Sequence, residues 1–276
     1  MDDLKQWIGR TETATDAIGA FPVAALAATL DRDDGAPQLG DELPPLWHWL
    51  YFLPIDRQSA LGPDGHAARG GFLPPVELPR RMWAGSRFRF EAPLRVGDAV
   101  TRVSRIASVT EKQGRSGRLV FVTVHHEISN SAGLAIQEEH DIVYRGHETG
   151  AVLEPPAAPA ASDWMRTVHP DDVLLFRYSA LTANGHRIHY DLDYVTREEG
   201  YPGLIVHGPL QATWLADIVR QYRPGARIAR FSYRGRRPAF HQNPITLVGW
   251  EGDQKLRLET RDHEGAVCMS AEATLG

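Results

Sequence analysis

Cysteine is almost absent from this 276-residue chain: Cys268 is the single one, so no intrachain disulfide can form. It lies in an alternating apolar stretch where a small buried hydrophobe is the expected role, and a chain built without disulfides fits a reducing cytoplasm. Long hydrophobic runs are also missing. The longest near-apolar run, Ala20 to Leu30, is interrupted by Pro22 and Thr29 and falls short of the ~20 residues a spanning helix needs. The acidic start, from Met1 to Trp7, leads into no positively flanked apolar segment, so neither a signal peptide nor a membrane span is expected. Excess positive charge is lacking as well. A net charge of −5 offers no dense Lys/Arg surface for a polyanion, so no nucleic-acid partner is expected.

What is present is the composition of a folded protein, 42% hydrophobic and 24% charged, and a length that suits two domains of roughly 100–200 residues each. Gly150 to Ala161 is rich in proline and alanine and reads as a linker. The expected organisation is therefore an N-terminal domain over 1–148, a linker over 149–162 and a C-terminal domain over 163–276. In the first half, Asp16 to Leu30 predicts a helix with Thr15 or Asp16 as its cap. Pro45 followed by an aromatic run to Pro54 predicts a short buried helix, whose rings either fill core or line a ligand cavity. Residues 57–78 read as a long loop, of the kind that often carries function. Strand patterns follow at 86–91, 98–109, 119–128 and 134–144.

The second half repeats that order. A helix at 171–182, a polar loop and an amphipathic helix from about Gly208 to Arg220 precede strand-like segments at 227–233, 245–250, 255–260 and 266–274. Helices followed by an antiparallel meander imply an α+β class, with a helix laid on one face of a sheet. Two such units can pair edge to edge and hold a site between them.

The chemistry concentrates between Tyr178 and Leu215. Asn184, His186, His189 and Asp191 fall within eight residues, and a histidine is the usual acid/base near neutral pH. Then Val206-His207-Gly208-Pro209 opens a helix. Its free N–H groups and aligned peptide dipoles favour negative charge there, as on a thioester oxygen becoming an enolate. A plain capped helix has the same spacing. A metal at His186 and His189 lacks a third ligand at metal spacing, and no metal is expected. Ser179 lacks the Gly-x-Ser-x-Gly elbow of serine nucleophiles.

These residues resemble a known family. Tyr178-Ser-Ala-Leu-Thr-Ala-Asn184-Gly-His-Arg-Ile-His189-Tyr-Asp191 is similar to the hydratase motif of MaoC-like hot dog enzymes, and Pro202-Gly203-Leu-Ile-Val-His207-Gly208-Pro-Leu is similar to their helix start. Pro44-Pro45-Leu-Trp-His-Trp, Leu78-Pro79-Arg80-Arg81-Met82-Trp83-Ala84-Gly85 and Val109-Thr-Glu-Lys-Gln-Gly-Arg-Ser-Gly resemble the double hot dog branch of that family. The resemblance implies a double hot dog, each half a long helix packed on an antiparallel sheet, with the catalytic motif in the second half and none in the first. It implies catalytic roles for His189, Asn184 and Gly208, with Asn184 on the family's usual aspartate. An amide can orient water through its carbonyl but cannot take a proton, which leaves the acid/base work to His189. Tyr178, His186, Arg187 and His207 become candidates for binding substrate, Arg187 for a carboxylate because guanidinium matches it in a bidentate way.

The implied reaction is reversible addition of water to an α,β-unsaturated dicarboxylic acyl-CoA, 3-methylfumaryl-CoA (mesaconyl-CoA) or itaconyl-CoA, giving citramalyl-CoA. No cofactor is expected beyond the coenzyme A of the substrate, and a homodimer or higher oligomer is compatible. Two other readings stay open: a (3R)-hydroxyacyl-thioester dehydratase acting on uncharged chains, and a non-catalytic acyl-CoA-binding protein.

Overall fold

Every strand among the described residues joins one sheet, which both halves build by the same plan. The structure, a computed structural model, describes residues 2–114, 117–146, 161–252 and 254–276. In the first half a short helix α1 (Asp2–Lys5) precedes β1 (Thr11–Ala17), α2 (Ala20–Thr29), β2 (Arg80–Phe90), β3 (Ala99–Gly114), β4 (Gly117–Asn130) and β5 (Gly133–Arg145). The second half runs β6 (Trp164–Val168), α3 (Asp172–Leu181), α4 (Leu192–Arg197), α5 (Gly208–Tyr222), β7 (Ile228–Gly235), β8 (Ile245–Trp250), β9 (Lys255–Arg261) and β10 (Val267–Leu275). The spatial order is β1-β3-β4-β5-β2 followed by β7-β10-β9-β8-β6, so each half places its strands identically and the two orders face each other across β2 and β7. That pairing is antiparallel, with Phe88 opposite Phe231.

The two strands that sequence reading did not foresee, β1 and β6, are the outer edges of the sheet. The seven residues of β1 are almost all exposed and polar, and β6 has only five residues. Such strands carry little alternating hydrophobicity to read, and short polar edges also discourage pairing with another chain. Because β1 takes Asp16, the expected helix begins at Ala20. The Asp16 carboxylate instead accepts the N–H of Phe52 at 2.6 Å. Pro22 sits in the first turn of α2, where a missing N–H costs nothing. The linker expected at 149–162 lies outside the described residues except for 161 and 162.

The expected long helix occurs in the second half. From Leu210 to Val219 every residue of α5 is buried, so this helix is enclosed on all sides rather than amphipathic. It packs on β6, β8, β9 and β10. In the first half no described helix exceeds the ten residues of α2. The aromatic run forms a single 3-10 turn, Trp47–Leu50, entered through Leu46 at φ 72°. Trp47, Leu50, Tyr51 and Phe52 join the main core, which settles the aromatic run as packing. The same apolar cluster includes Leu210, Trp214 and Ile218 of α5, so one core spans both halves. No helix among the described residues is long and apolar enough to cross a membrane.

The last turns of α5 are tied to the first half through Asp217. Its side chain, 4% exposed, meets Arg32 at 2.9 Å, Arg220 at 3.0 Å and Arg166 at 3.3 Å. Removing one partner of a buried ion pair strands the other charges, at a cost of about 3 kcal/mol or more. Asp217→Ala is therefore expected to lower unfolding stability by about 3 kcal/mol, measured by denaturant titration; a loss below about 1 kcal/mol would show that the arginines find water instead.

Candidate active site

The loop from Thr182 to Tyr190 is shaped by its own backbone. Ala183 takes a left-handed conformation at φ 48°, and Asn184 Oδ1 accepts the N–H of His186 at 3.0 Å. This Asx turn carries the chain into a 3-10 turn, Arg187–His189. His189 is buried, and its Nδ1 lies 2.7 Å from the carbonyl oxygen of Ile205. A carbonyl only accepts, so Nδ1 carries the proton and Nε2 keeps a free lone pair. The strand-like piece that supplies Ile205 is held on its other side by Val206 N–H to Ala239 O and leads directly into α5.

Around His189 the histidines form a row. Its ring stacks on His207 at 3.7 Å between centroids and 17° between planes. On the other side His186 stands edge-on to it at 5.6 Å. His207 Nε2 lies 2.8 Å from Ser179 Oγ, and its ring is 4.9 Å from that of Tyr178. The row extends into the first half, because His66 lies against His186 with ring centroids 4.0 Å apart. Asp64 Oδ2 accepts from His66 Nδ1 at 3.0 Å.

Burial keeps these imidazoles neutral. Desolvation is the largest cause in every case; neighbouring histidines add to it at His186, His189 and His207, while at His66 the Asp64 carboxylate opposes it and Arg81 and Arg69 add to it. It brings His189 down to about 4 and His186 to about 2, and lowers His207 and His66 below the usual imidazole value. Burial also raises the Tyr178 phenol, which stays protonated.

Gly208 opens α5 with no side-chain cap and with Pro209 next to it. Its N–H has no partner among the described residues, and a Cβ built on it would meet only Met269 Cε, at 4.0 Å. The start of the buried helix thus presents a free donor to open space, with the helix dipole behind it. A neutral histidine with one free nitrogen beside an anion-favouring N–H can move a proton and hold developing negative charge.

Residues 46–241 match the family described as hydroxyacyl-thioester dehydratase type 2. The chain belongs to that family. It is 48% identical, over 99% of its length and 98% of the relative's, to the mesaconyl-C(4)-CoA hydratase of Chloroflexus aurantiacus. Among solved structures it is similar to HtdX of Mycobacterium tuberculosis, with a TM-score of 0.66 at 19% identity, covering 96% of this chain and 99% of that one. A second Mycobacterium tuberculosis protein, with a double hot dog fold, superposes with a TM-score of 0.60 at 12% identity over 100% of this chain and 98% of the other. At such identities the likeness bears on the fold, which is the double hot dog.

The sequence foreshadows most of the row but not all of it. His186, His189, His207, Tyr178 and Gly208 come together as expected. Asn184 is in the loop, but its carbonyl is engaged with His186 N–H and makes no hydrogen bond to His189. Arg187 departs most. Its guanidinium is paired with Asp191 at 2.8 Å, bonds to Pro63 O at 3.1 Å and covers the Tyr194 ring at 4.2 Å. It lines a surface cavity of about 460 Å³ with Tyr194, Arg197 and Glu199, away from the row. The expected carboxylate ligand is thus a clamp between the halves.

Asp64 and His66 were missed. They sit in the long loop already suspected of function, and nothing in their spacing ties them to residues 120 positions away. Gly65 between them (φ +87°) comes so close to Gly185 that a Cβ would lie 1.9 Å from its carbonyl oxygen. Asp64, His66 and His186 also bring one potential ligand atom each within 4.8 Å of one another. In this arrangement the Asp64 carboxylate also holds the His66 Nδ1–H, at 3.0 Å.

A row of neutral histidines makes stability depend on pH. Their folded pKa values lie below the 6.5 of free imidazole, so below that pH the unfolded chain binds protons that the native chain refuses. Their contribution is complete above pH 6.5 and is lost as pH falls toward the value of about 4 for His189. The denaturation midpoint is expected to be level above pH 6.5 and to fall between 6.5 and 4; a flat midpoint across that window would show free protonation of the row.

Proposed function

We propose that the protein is a hydro-lyase that adds water reversibly to a dicarboxylic enoyl-CoA, with 3-methylfumaryl-CoA (mesaconyl-C4-CoA) as the first candidate substrate and citramalyl-CoA as product. The observation that carries the reading is His189: buried, neutral, with Nδ1–H fixed on Ile205 O and Nε2 free, at the mouth of the helix that begins at Gly208. The hydratase relative, similar over its whole length, supports the substrate class.

In the proposed step His189 Nε2 takes a proton from water while the water oxygen bonds to Cβ. The Cα=Cβ electron pair shifts into the thioester enolate, whose oxygen meets the Gly208 N–H. The His189 imidazolium then returns a proton to Cα, so that the histidine ends as it began. His207, stacked beneath His189 and bonded to Ser179, holds the ring's plane, and Tyr178 closes the apolar wall behind it. Exposed Arg234 and Arg236 flank Gly235, which pairs with Met269, the residue nearest Gly208. Coenzyme A phosphates entering along that edge would meet both cations. The first half has its own carboxylate and histidine, Glu138 and His48 at 3.3 Å, and both are buried, 4% and 3% exposed, which supports a single site in the second half.

The reverse direction on uncharged chains, the dehydratase reading, uses the same residues and is favoured by the family description. Turnover of 3-methylfumaryl-CoA, itaconyl-CoA and crotonyl-CoA, followed by loss of enoyl-thioester absorbance, separates the two. The hydratase reading expects the dicarboxylic substrates to exceed crotonyl-CoA in kcat/KM, and His189→Ala to cost about 10²–10⁴-fold. Equal rates for His189→Ala and wild type would sink the catalytic reading altogether.

Gly208→Ala tests the oxyanion donor without disturbing the fold. The added methyl meets no atom closer than 4.0 Å, and alanine suits a helix better than glycine. The expected outcome is an unchanged or slightly raised melting temperature with kcat/KM lowered about tenfold or more, because a methyl at that position crowds an approaching thioester. Undiminished kcat/KM would place the thioester oxygen elsewhere.

A further inference from the structure

The catalytic water has two hydrogens, and His189 Nε2 accounts for one. Aiming the oxygen lone pair at Cβ requires the second O–H to be held as well. The Asn184 carbonyl is committed to the His186 N–H at 3.0 Å, which weakens it for that task. Another acceptor stands at the same row. His66 reaches it from the first half, its ring 4.0 Å from that of His186, which is itself edge-on to His189. The Asp64 carboxylate accepts the Nδ1–H of His66 at 3.0 Å, which fixes the tautomer with Nε2 as a lone-pair acceptor.

The placement is built rather than incidental. Asp64 O accepts the N–H of Arg187 at 2.9 Å, and Pro63 O accepts from its guanidinium. The Gly65–Gly185 approach leaves no room for any side chain between the two loops. The result is a carboxylate–imidazole pair, 32% and 25% exposed at the side chains, pressed onto the proton-transfer loop from across the domain boundary.

We propose that His66, oriented by Asp64, is a further catalytic residue: its Nε2 accepts the second hydrogen of the attacking water that His189 deprotonates. The proposal rests on the reading of His189 as the base, and it makes the site a joint product of both halves. The pair transfers no proton in the step; it fixes the direction of the water while His189 takes and returns the proton.

The test compares kcat and KM of His66→Gln, His66→Leu, Asp64→Asn and His189→Ala on the best enoyl-CoA of the wild type. Glutamine keeps an acceptor at the position of the imidazole nitrogen; leucine keeps bulk against His186 but accepts nothing. The expected result is a fall in kcat of about 100-fold for leucine with KM within about threefold, and recovery to within about tenfold of wild type for glutamine. Asp64→Asn, which lets the imidazole take the wrong tautomer, should lower kcat about tenfold or more. Should the leucine variant not fold, the asparagine variant decides on its own. Leucine within threefold of wild type, leucine and glutamine equally impaired, or Asp64→Asn without effect overturns the role of His66 while His189→Ala stays inactive. An active His189→Ala overturns the hydratase reading, and the role of His66 with it.

Discussion

The contact on which the rest depends is the antiparallel pairing of β2 with β7. It is made close by Gly85, where a Cβ would stand 2.4 Å from the carbonyl oxygen of Tyr233. Joining the two five-stranded orders at this seam produces one ten-stranded sheet and brings α2 against α3. A single apolar core then runs beneath both halves. Only when the seam is closed can the long loop of the first half lie over the turn at 184–190. The clamps confirm the geometry: Arg187 on Pro63, Arg80 on Glu199 at 3.1 Å, and Arg32 on Asp217. Each crosses from one half to the other, the last of them in the final turns of α5.

Within that frame the electrostatics follow from burial. Imidazoles in ring contact cannot all be charged in a medium that solvates charge poorly, so the row is neutral and its proton inventory is set by hydrogen-bond partners rather than by bulk pH. Ile205 O and Asp64 decide which nitrogen of His189 and of His66 is free. In the proposed mechanism a neutral base beside a helix start divides the labour of enoyl hydration between two elements, the turn at 187–189 for protons and α5 for the charge that appears on oxygen.

The asymmetry between the halves has a structural cause. Both use the same strand order, but the second encloses a fifteen-residue helix where the first has a 3-10 turn and a long loop. Losing the helix removes an N-terminal donor from the first half. The chain of residues 53–79 instead reaches the other half, where Asp64 O accepts the N–H of Arg187 and His66 lies against His186.

How much could be read without coordinates depends on whether a signal is local. The strands β2–β5 and β7–β10, the buried helix and its Gly-Pro start all show in periodicity and turn chemistry. So does the motif around His189, because its turn is made by neighbours a few residues apart. The edge strands β1 and β6 were silent because one is polar throughout and the other very short. The clamp at Arg187 was not legible because its guanidinium is shared by Asp191 and Pro63, and only one of these is near in sequence.

The sequence by itself determined the class of fold and marked the candidate site residues, since hydrophobic period, helix capping and a histidine-bearing motif act over a few residues. Tertiary structure alone decided which nitrogen of His189 is free, that Arg187 is a clamp, and that Asp64 and His66 stand at the row. The first rests on Ile205, sixteen residues from His189 within the same half. The other two rest on contacts between the halves, where Pro63, Asp64 and His66 meet Arg187 and His186, and no local pattern encodes those.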